Sequence, residues 1–505
     1  MKSYIIGLLT NYLGLVLTMS IQVFLMPFLL STIGPRQTGV YYLFMTVSNF
    51  VAIGITWLTG AGVYLLASSD QKAARADFQE IHWAVFLGYG TYATLILGMV
   101  CLWAFAAGHW WLCDSDAALI GEARNACFFL GLYIWVRYVH QSDLALYMAR
   151  LEQGWANLYR VISQSIFIFL VALIVMHRPR LDLLMLANFI SGAIAAAGAR
   201  LHLRCSGRLG PWRWHLPDRI LAKQMFMTRG LSYFIFGLAQ YGLIYGDVLL
   251  IGAVLGPAKV SAWLIIWRIP DVMGILLWRV SEILSPYLTR LGSASGHQAV
   301  ARLFLCTSRL QHVLGILAGI GYAFFGPSVV ALWVGEAHRP ETPWFYWLAG
   351  AVLAIQSVNR HDIVLHYALA KLGHLIKIQF AELLLKLGIT MLLFTRFDVV
   401  APLITTLMIQ LCGLTWFYRA SALRQLGIGW QEWLARVGIW SGAALVLAGI
   451  SAFFIHRWIP RASLTGFLVC VFCYAGIAVL ILLKIEKYQQ QNGLFHICHM
   501  LTQSG

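Results

Sequence analysis

Apolar stretches about 20 residues long recur from one end of this chain to the other, and they limit its possible folds sharply. Each is long enough to cross a hydrocarbon core about 30 Å thick. Inside lipid a backbone must satisfy its own hydrogen bonds, so such stretches are helices rather than open sheet. A barrel would show alternating segments about 10 residues long, and none appear. Composition agrees. Only 11% of the 505 residues are charged and the mean hydropathy is +0.75, against about 25% charged in a water-soluble domain.

About fourteen spans can be placed by hydropathy. They lie near 4–30, 41–67, 82–106, 118–148, 158–176, 183–203, 231–255, 261–287, 303–325, 343–369, 376–394, 399–418, 437–454 and 464–485. The expected architecture is all-α. An N-terminal six-helix bundle covers 1–203, a basic cytoplasmic linker 204–229 and a C-terminal six-helix bundle 230–421. Two further transmembrane helices fill 422–485, and a cytoplasmic tail 486–505. Met1-Lys2-Ser3 leads straight into the first span without a small-residue cleavage site, which predicts a retained helix.

Basic residues set the orientation. With both termini inside, most Lys and Arg fall in cytoplasmic segments, as in a bacterial inner-membrane protein. The richest segment carries Arg200, Arg204, Arg208, Arg213, Arg219, Lys223 and Arg229. The net charge of +16 therefore reads as an orientation signal. Nucleic-acid binding needs a basic patch on a folded module, and no stretch is long enough to be one. The nine cysteines lie mostly in spans or inside, so no disulfide framework is expected. Cys470 and Cys473 have redox or zinc spacing but fall in an apolar helix, where packing explains them. The His496–His499 run reads as a polar tail, and no metal site is expected.

One turn occurs twice. "STIGPRQTGVYYLF" begins at Ser31 and "AVLGPAKVSAWLII" at Ala253, so the Gly-Pro pairs stand about 222 residues apart. The first joins spans one and two, the second spans seven and eight. In that register Tyr41 falls on Trp263 and Asn49 on Asp271. Six spans per half make the repeats parallel, related by an axis along the membrane normal. Two such halves can rock about a central cavity, as alternating access requires.

Charges inside a membrane are costly and face protein or water. At about 100° per residue, Arg268, Asp271, Arg279 and Glu282 share an arc of roughly 80° on span eight. Arg268 with Asp271, and Arg279 with Glu282, are spaced to pair. Arg268, beside Pro270, is expected to line a cavity. In span seven Tyr233, Gln240 and Asp247 share a face. In span two Tyr42, Thr46 and Asn49 do, and span four carries Arg137, His140 and Asp143. The "NRHD" run, Asn359 to Asp362, is expected near the inner surface. Glu382 and Lys386 read as a self-neutralised structural pair.

The stretch "GDVLLIGAVLGPAKVSAWLIIWRIPDVMGILLWRVSEILSPYLTR" resembles helices seven and eight of the polysaccharide and O-antigen-type lipid-linked oligosaccharide flippases of the MATE-like superfamily. Leu255-Gly256, Val260-Ser261-Ala262, Arg268 and Pro286-Tyr287-Leu288-Thr289-Arg290 carry the likeness. "PFLLSTIGPRQTGVYYLF" is similar to that family's first turn. The resemblance implies a flippase for an undecaprenyl-pyrophosphate-linked oligosaccharide. Arg268, Arg279, Asn49 and Arg137 would contact the substrate, and Asp271 or Asp247 would take up a coupling H⁺ or Na⁺. No other cofactor is implied, and a polymerase of the same pathway is the implied partner. Two alternatives stand beside it. A multidrug cation antiporter of the same fold should favour acids over arginines. A polymerase or ligase needs a sizeable outer domain, and the outer segments are short. ATP-driven transport lacks a phosphate-binding loop sequence.

Overall fold

The computed structural model describes residues 2–54, 75–107, 117–150, 152–207, 230–294, 297–340, 342–368, 372–458 and 472–477, with a few isolated positions besides. Among these residues there are helices and no strands. In chain order they are α1 (Lys2–Thr32), α2 (Gly34–Val51), α3 (Arg75–Ala107), α4 (Ala117–Ala149), α5 (Gln153–His177) and α6 (Leu181–Cys205). Then come α7 (Gly230–Val254), α8 (Pro257–Ala294), α9 (His297–Val334), α10 (Trp344–Ala368) and α11 (Leu372–Phe397). Helix α12 runs through Ala401–Ile409, a π-turn at Gln410–Leu414, and Thr415–Leu426. Helix α13 runs through Trp430–Trp433, a second π-turn at Leu434–Gly438, and Ile439–Trp458. Spans one to thirteen each fall on one of these helices, span two through 41–51 only, most of its remainder lying outside the described residues. Of the fourteenth, residue 469 and a helical run at 472–477 are described, and there the Tyr474 hydroxyl donates to the Leu317 carbonyl of α9 at 2.9 Å. Most of the basic linker, Cys113, Cys470 and the His496–His499 run lie outside the described residues.

Nine segments among the described residues are long and apolar enough to cross a membrane on composition alone. Helices α2, α4 and α10 are not among them. On α4 and α10 polar side chains interrupt the apolar run, Arg137 and Asp143 on the one and Arg360 and Asp362 on the other, and the 18 residues of α2 open on Gly-Pro-Arg-Gln. The surface is apolar where a soluble protein's would be polar. On α3, Leu95, Met99 and Leu102 are exposed at helical spacing, while Asp143, Asp362 and Arg419 are buried. Lipid removes the penalty on the first set and imposes one on the second. The chain is a multi-pass membrane protein.

Two compact units make up the chain, Met1–Ser261 and Ala262–Gly505. In the first, α4 packs on α3 and α6, α5 on α1 and α6, and α2 on α7. In the second, α9 packs on α10 and α13, and α12 on α11 and α10. The α9–α10 contact is close because Gly319 and Gly350 face each other's carbonyls, where a Cβ on either would collide. Small residues let membrane helices approach in this way without a hydrophobic driving force.

The repeated Gly-Pro turn is built identically both times. Gly34 has φ +79° and Gly256 φ +89°, a left-handed conformation that side chains resist. In both places proline follows and starts the next helix, where its missing N–H costs nothing. The aligned aromatics Tyr41 and Trp263 are both buried at 2% exposure.

Candidate functional site

The first unit gathers its polar groups where α2 stops. The last carbonyls of a helix have no partner within it. At this end the Val51 carbonyl accepts from the Tyr138 hydroxyl on α4, and from the Tyr92 hydroxyl on α3 at 3.2 Å. These two tyrosines hold the end of α2 against α4 and so bring Asn49 to Arg137. The Arg137 guanidinium donates through Nη1 to Asn49 Oδ1 at 3.2 Å and to Ser48 Oγ at 3.4 Å. Tyr133 and Tyr138 on α4, and Tyr241 and Tyr245 on α7, lie within electrostatic reach of it. The Tyr241 and Tyr245 rings stand 5.8 Å apart. Two residues assigned separately from sequence, Asn49 and Arg137, are thus direct partners.

Further along α4, the buried Asp143 carboxylate accepts from Arg200 of α6 at 3.2 Å, with His140 at 3.9 Å. Arg200 also lies over the Phe86 ring at 4.6 Å. Asp247 of α7 is buried at 8% exposure.

In the second unit, α8 makes both ion pairs its spacing predicts. Arg268 meets Asp271 at 3.6 Å, and Arg279 meets Glu282 at 2.9 Å. Arg268 is the more sequestered arginine, its side chain 13% exposed against 44% for Arg279. Glu282 also accepts from Arg360 of α10 at 3.2 Å, and Arg360 lies over the Trp278 ring. The stripe on α8 therefore carries its own counter-charges.

A second cluster escaped sequence reasoning. Three residues of the "NRHD" run, Asn359, His361 and Asp362, are buried. Arg419 of α12 donates to Asp362 Oδ2 at 2.9 Å and to His312 Nε2 at 3.1 Å, and lies 4.5 Å over the Trp433 ring. Because guanidinium only donates, His312 Nε2 accepts, and its Nδ1–H donates to the Ser308 carbonyl at 2.6 Å. His361 is fixed similarly. The Thr307 hydroxyl is committed to the Leu303 carbonyl, so it accepts from His361 Nε2–H, and Ser281 donates to Nδ1. Glu382 takes two donors, Gln410 Nε2 at 2.5 Å and the Tyr418 hydroxyl at 3.0 Å. Gln410 in turn accepts from Asn359. The partners that join different helices stand 28 to 107 positions apart in sequence, so no local spacing could reveal them. Among the described residues, no three His, Cys, Asp or Glu side chains are placed to hold a metal ion.

Neither family models nor curated proteins give a match to the sequence. Solved structures do. The lipid II flippase MurJ in an inward closed conformation aligns with TM-score 0.72 at 10% identity, over 94% of this chain and 98% of that one. The chain folds as membrane transporters do. An inward-facing multidrug resistance transporter of the MATE family, in the MOP superfamily, aligns with TM-score 0.62 at 11% identity, over 81% of this chain and 96% of its own. The Vibrio cholerae MATE transporter VcmN in its bent form aligns with TM-score 0.54 at 13% identity, over 84% of this chain and 97% of its own.

Proposed function

We propose that the chain is a flippase that carries a lipid-linked oligosaccharide between the leaflets of a bacterial inner membrane by alternating access. One observation carries the choice of a flippase over a drug exporter. The lipid II flippase covers 94% of this chain, whereas the multidrug resistance transporter and VcmN, both MATE transporters, cover 81% and 84%. Their shortfall is comparable with the stretch after residue 421, where the sequence adds two spans to a twelve-span body. In this reading 1–203 and 230–421 are the repeated bundles, and the basic linker holds them on the cytoplasmic side. The isoprenoid tail stays in lipid while the anionic head passes between arginines. Positioned N–H donors hold phosphate well where water is scarce. Arg268 and Arg279 on α8, and Arg137 with Asn49, are the substrate contacts. Asp271 and Asp247 are the carboxylates available to H⁺ or Na⁺. Export needs no covalent chemistry, and a polymerase of the same pathway would take up the delivered product.

The test is a deletion strain complemented by variants. Loss of the gene should remove surface glycan and leave lipid-linked intermediate facing the cytoplasm. Arg268→Ala should fail to restore export while the protein accumulates normally, and Arg268→Lys should restore part of it. Normal surface glycan in the deletion strain, with raised sensitivity to cationic drugs, would replace this reading with drug export.

A further inference from the structure

Arg200, Arg268, Arg279, Arg360 and Arg419 each reach a carboxylate. Arg137 does not. Its bonds run through Nη1 alone, to two neutral side chains, and Nε and Nη2 meet no acceptor among the described residues. The carbonyl end of α2 supplies only a partial negative charge. A half-buried guanidinium without a counter-charge inside a membrane helix is costly unless it serves a ligand.

The direction of the side chain narrows the ligand. Phe128 and Trp135 are the exposed large apolar residues of α4, at 49% and 37%. Arg137 is two residues beyond Trp135, about 200° round the helix, so it faces away from that stripe. The groups around it are tyrosines, whose rings offer apolar faces and whose hydroxyls offer bonds at the rim. Asn49 is oriented by the arginine itself. With Oδ1 committed to Nη1–H, its Nδ2 is left pointing donors elsewhere. A guanidinium fork, a free amide donor and two neighbouring phenol rings match a pyranose bearing one negative group. The anion takes the fork in two parallel bonds, and the C–H face of the ring lies on the phenols.

We infer that Arg137, Asn49, Tyr241 and Tyr245 form a binding site for an anionic sugar, whose carboxylate or phosphate sits on the guanidinium. The inference rests on the transport reading only in taking that sugar to be part of the cargo. It moves the contact that selects for charge from α8, where the arginines are already answered by acids, to α4.

The experiment uses the full chain purified into phosphatidylcholine nanodiscs, titrated with glucuronate, glucose 1-phosphate, glucose and inorganic phosphate. Wild type should bind one of the two anionic sugars at least tenfold more tightly than glucose or phosphate, and which one it prefers identifies the anion. Arg137→Gln should abolish that preference while melting within a few degrees of wild type. Joint Tyr241→Leu and Tyr245→Leu should weaken the anionic sugar at least fivefold and leave phosphate unchanged. Wild-type binding by Arg137→Gln would overturn the inference. So would phosphate binding as tightly as either anionic sugar, or a large fall in melting temperature that marks Arg137 as structural. Normal export by the deletion strain would sink the transport reading and leave these titrations standing. Lost export with unaltered Arg137→Gln binding would sink the site alone.

Discussion

The hydroxyl of Ser261 donates to the carbonyl of Pro35 at 2.7 Å, and the contact is reciprocal. Four residues after Pro35, Gly39 lies against the carbonyl of Pro257, the proline of the other turn, four residues before Ser261. Each Gly-Pro turn therefore meets the residue one helical turn past the other's proline. Serine reaches across with a bond, and glycine leaves room for the approach. A Cβ at position 39 would collide with backbone rather than with a flexible side-chain end. Gly39→Ala is expected to destabilise by about 1–3 kcal/mol through overpacking. Ser261→Ala should cost about 0.5–1.5 kcal/mol, the net worth of one hydrogen bond. Thermal unfolding in detergent compares them. A Gly39→Ala protein as stable as wild type would show that the approach is loose.

Arg419 and Asp362 form a buried pair whose remaining donors serve His312 and a tryptophan face. Removing one member strands the other charge. Asp362→Leu or Arg419→Met alone should therefore cost about 3–5 kcal/mol, and the double substitution considerably less. The same measurement on Arg279→Met should show at most about 1 kcal/mol, because that pair is half-exposed. If the double variant is as unstable as the sum of the singles, the pair is not an isolated unit and the histidines share its energy.

The π-turn at Gln410–Leu414 interrupts α12 where Gln410 stands between Asn359 of α10 and Glu382 of α11. Single π-turns in α-helices often mark sites where a side chain must be re-aimed. Here the side chain bonds two other helices. Gln410→Leu should leave a buried amide and a buried carboxylate short of partners and cost about 2 kcal/mol or more. Gln410→Glu should fare no better, because it sets a second acid against Glu382.

The helices were legible because lipid enforces one rule over about 20 residues at a time, and thirteen of the spans landed on described helices. The ends were less so. Sequence ended span nine at Phe325, but α9 continues through Pro327 to Val334. Neighbouring helices and local adjustment tolerate an interior proline in a membrane helix. The Gly34 and Gly256 turns were legible because the left-handed conformation demands glycine. Ion pairs within α8 followed from spacing alone. The Asn49–Arg137 contact did not, since it depends on Tyr92 and Tyr138 capping α2 from other helices. The buried network around the "NRHD" run was not legible because His312 and Arg419 arrive from remote parts of the chain.

Orientation can be tested on the cysteines already present. Cys205 ends α6 and is exposed, on the side that the basic residues assign to the cytoplasm. Cys113 follows α3, on the opposite side in the same assignment. Cys412 is exposed too, but within an apolar segment long enough to cross a membrane, where acyl chains rather than water are the expected surroundings. Thiolate is the reactive form, and lipid suppresses it. Single-cysteine proteins carrying Cys113, Cys205 or Cys412 are expected to react differently with a charged, membrane-impermeant maleimide. Cys113 should label in intact cells with the outer membrane made permeable. Cys205 should label only after the inner membrane is opened, and Cys412 in neither case. Labelling of Cys205 but not Cys113 from outside would invert the chain, and with it the direction in which the proposed cargo travels.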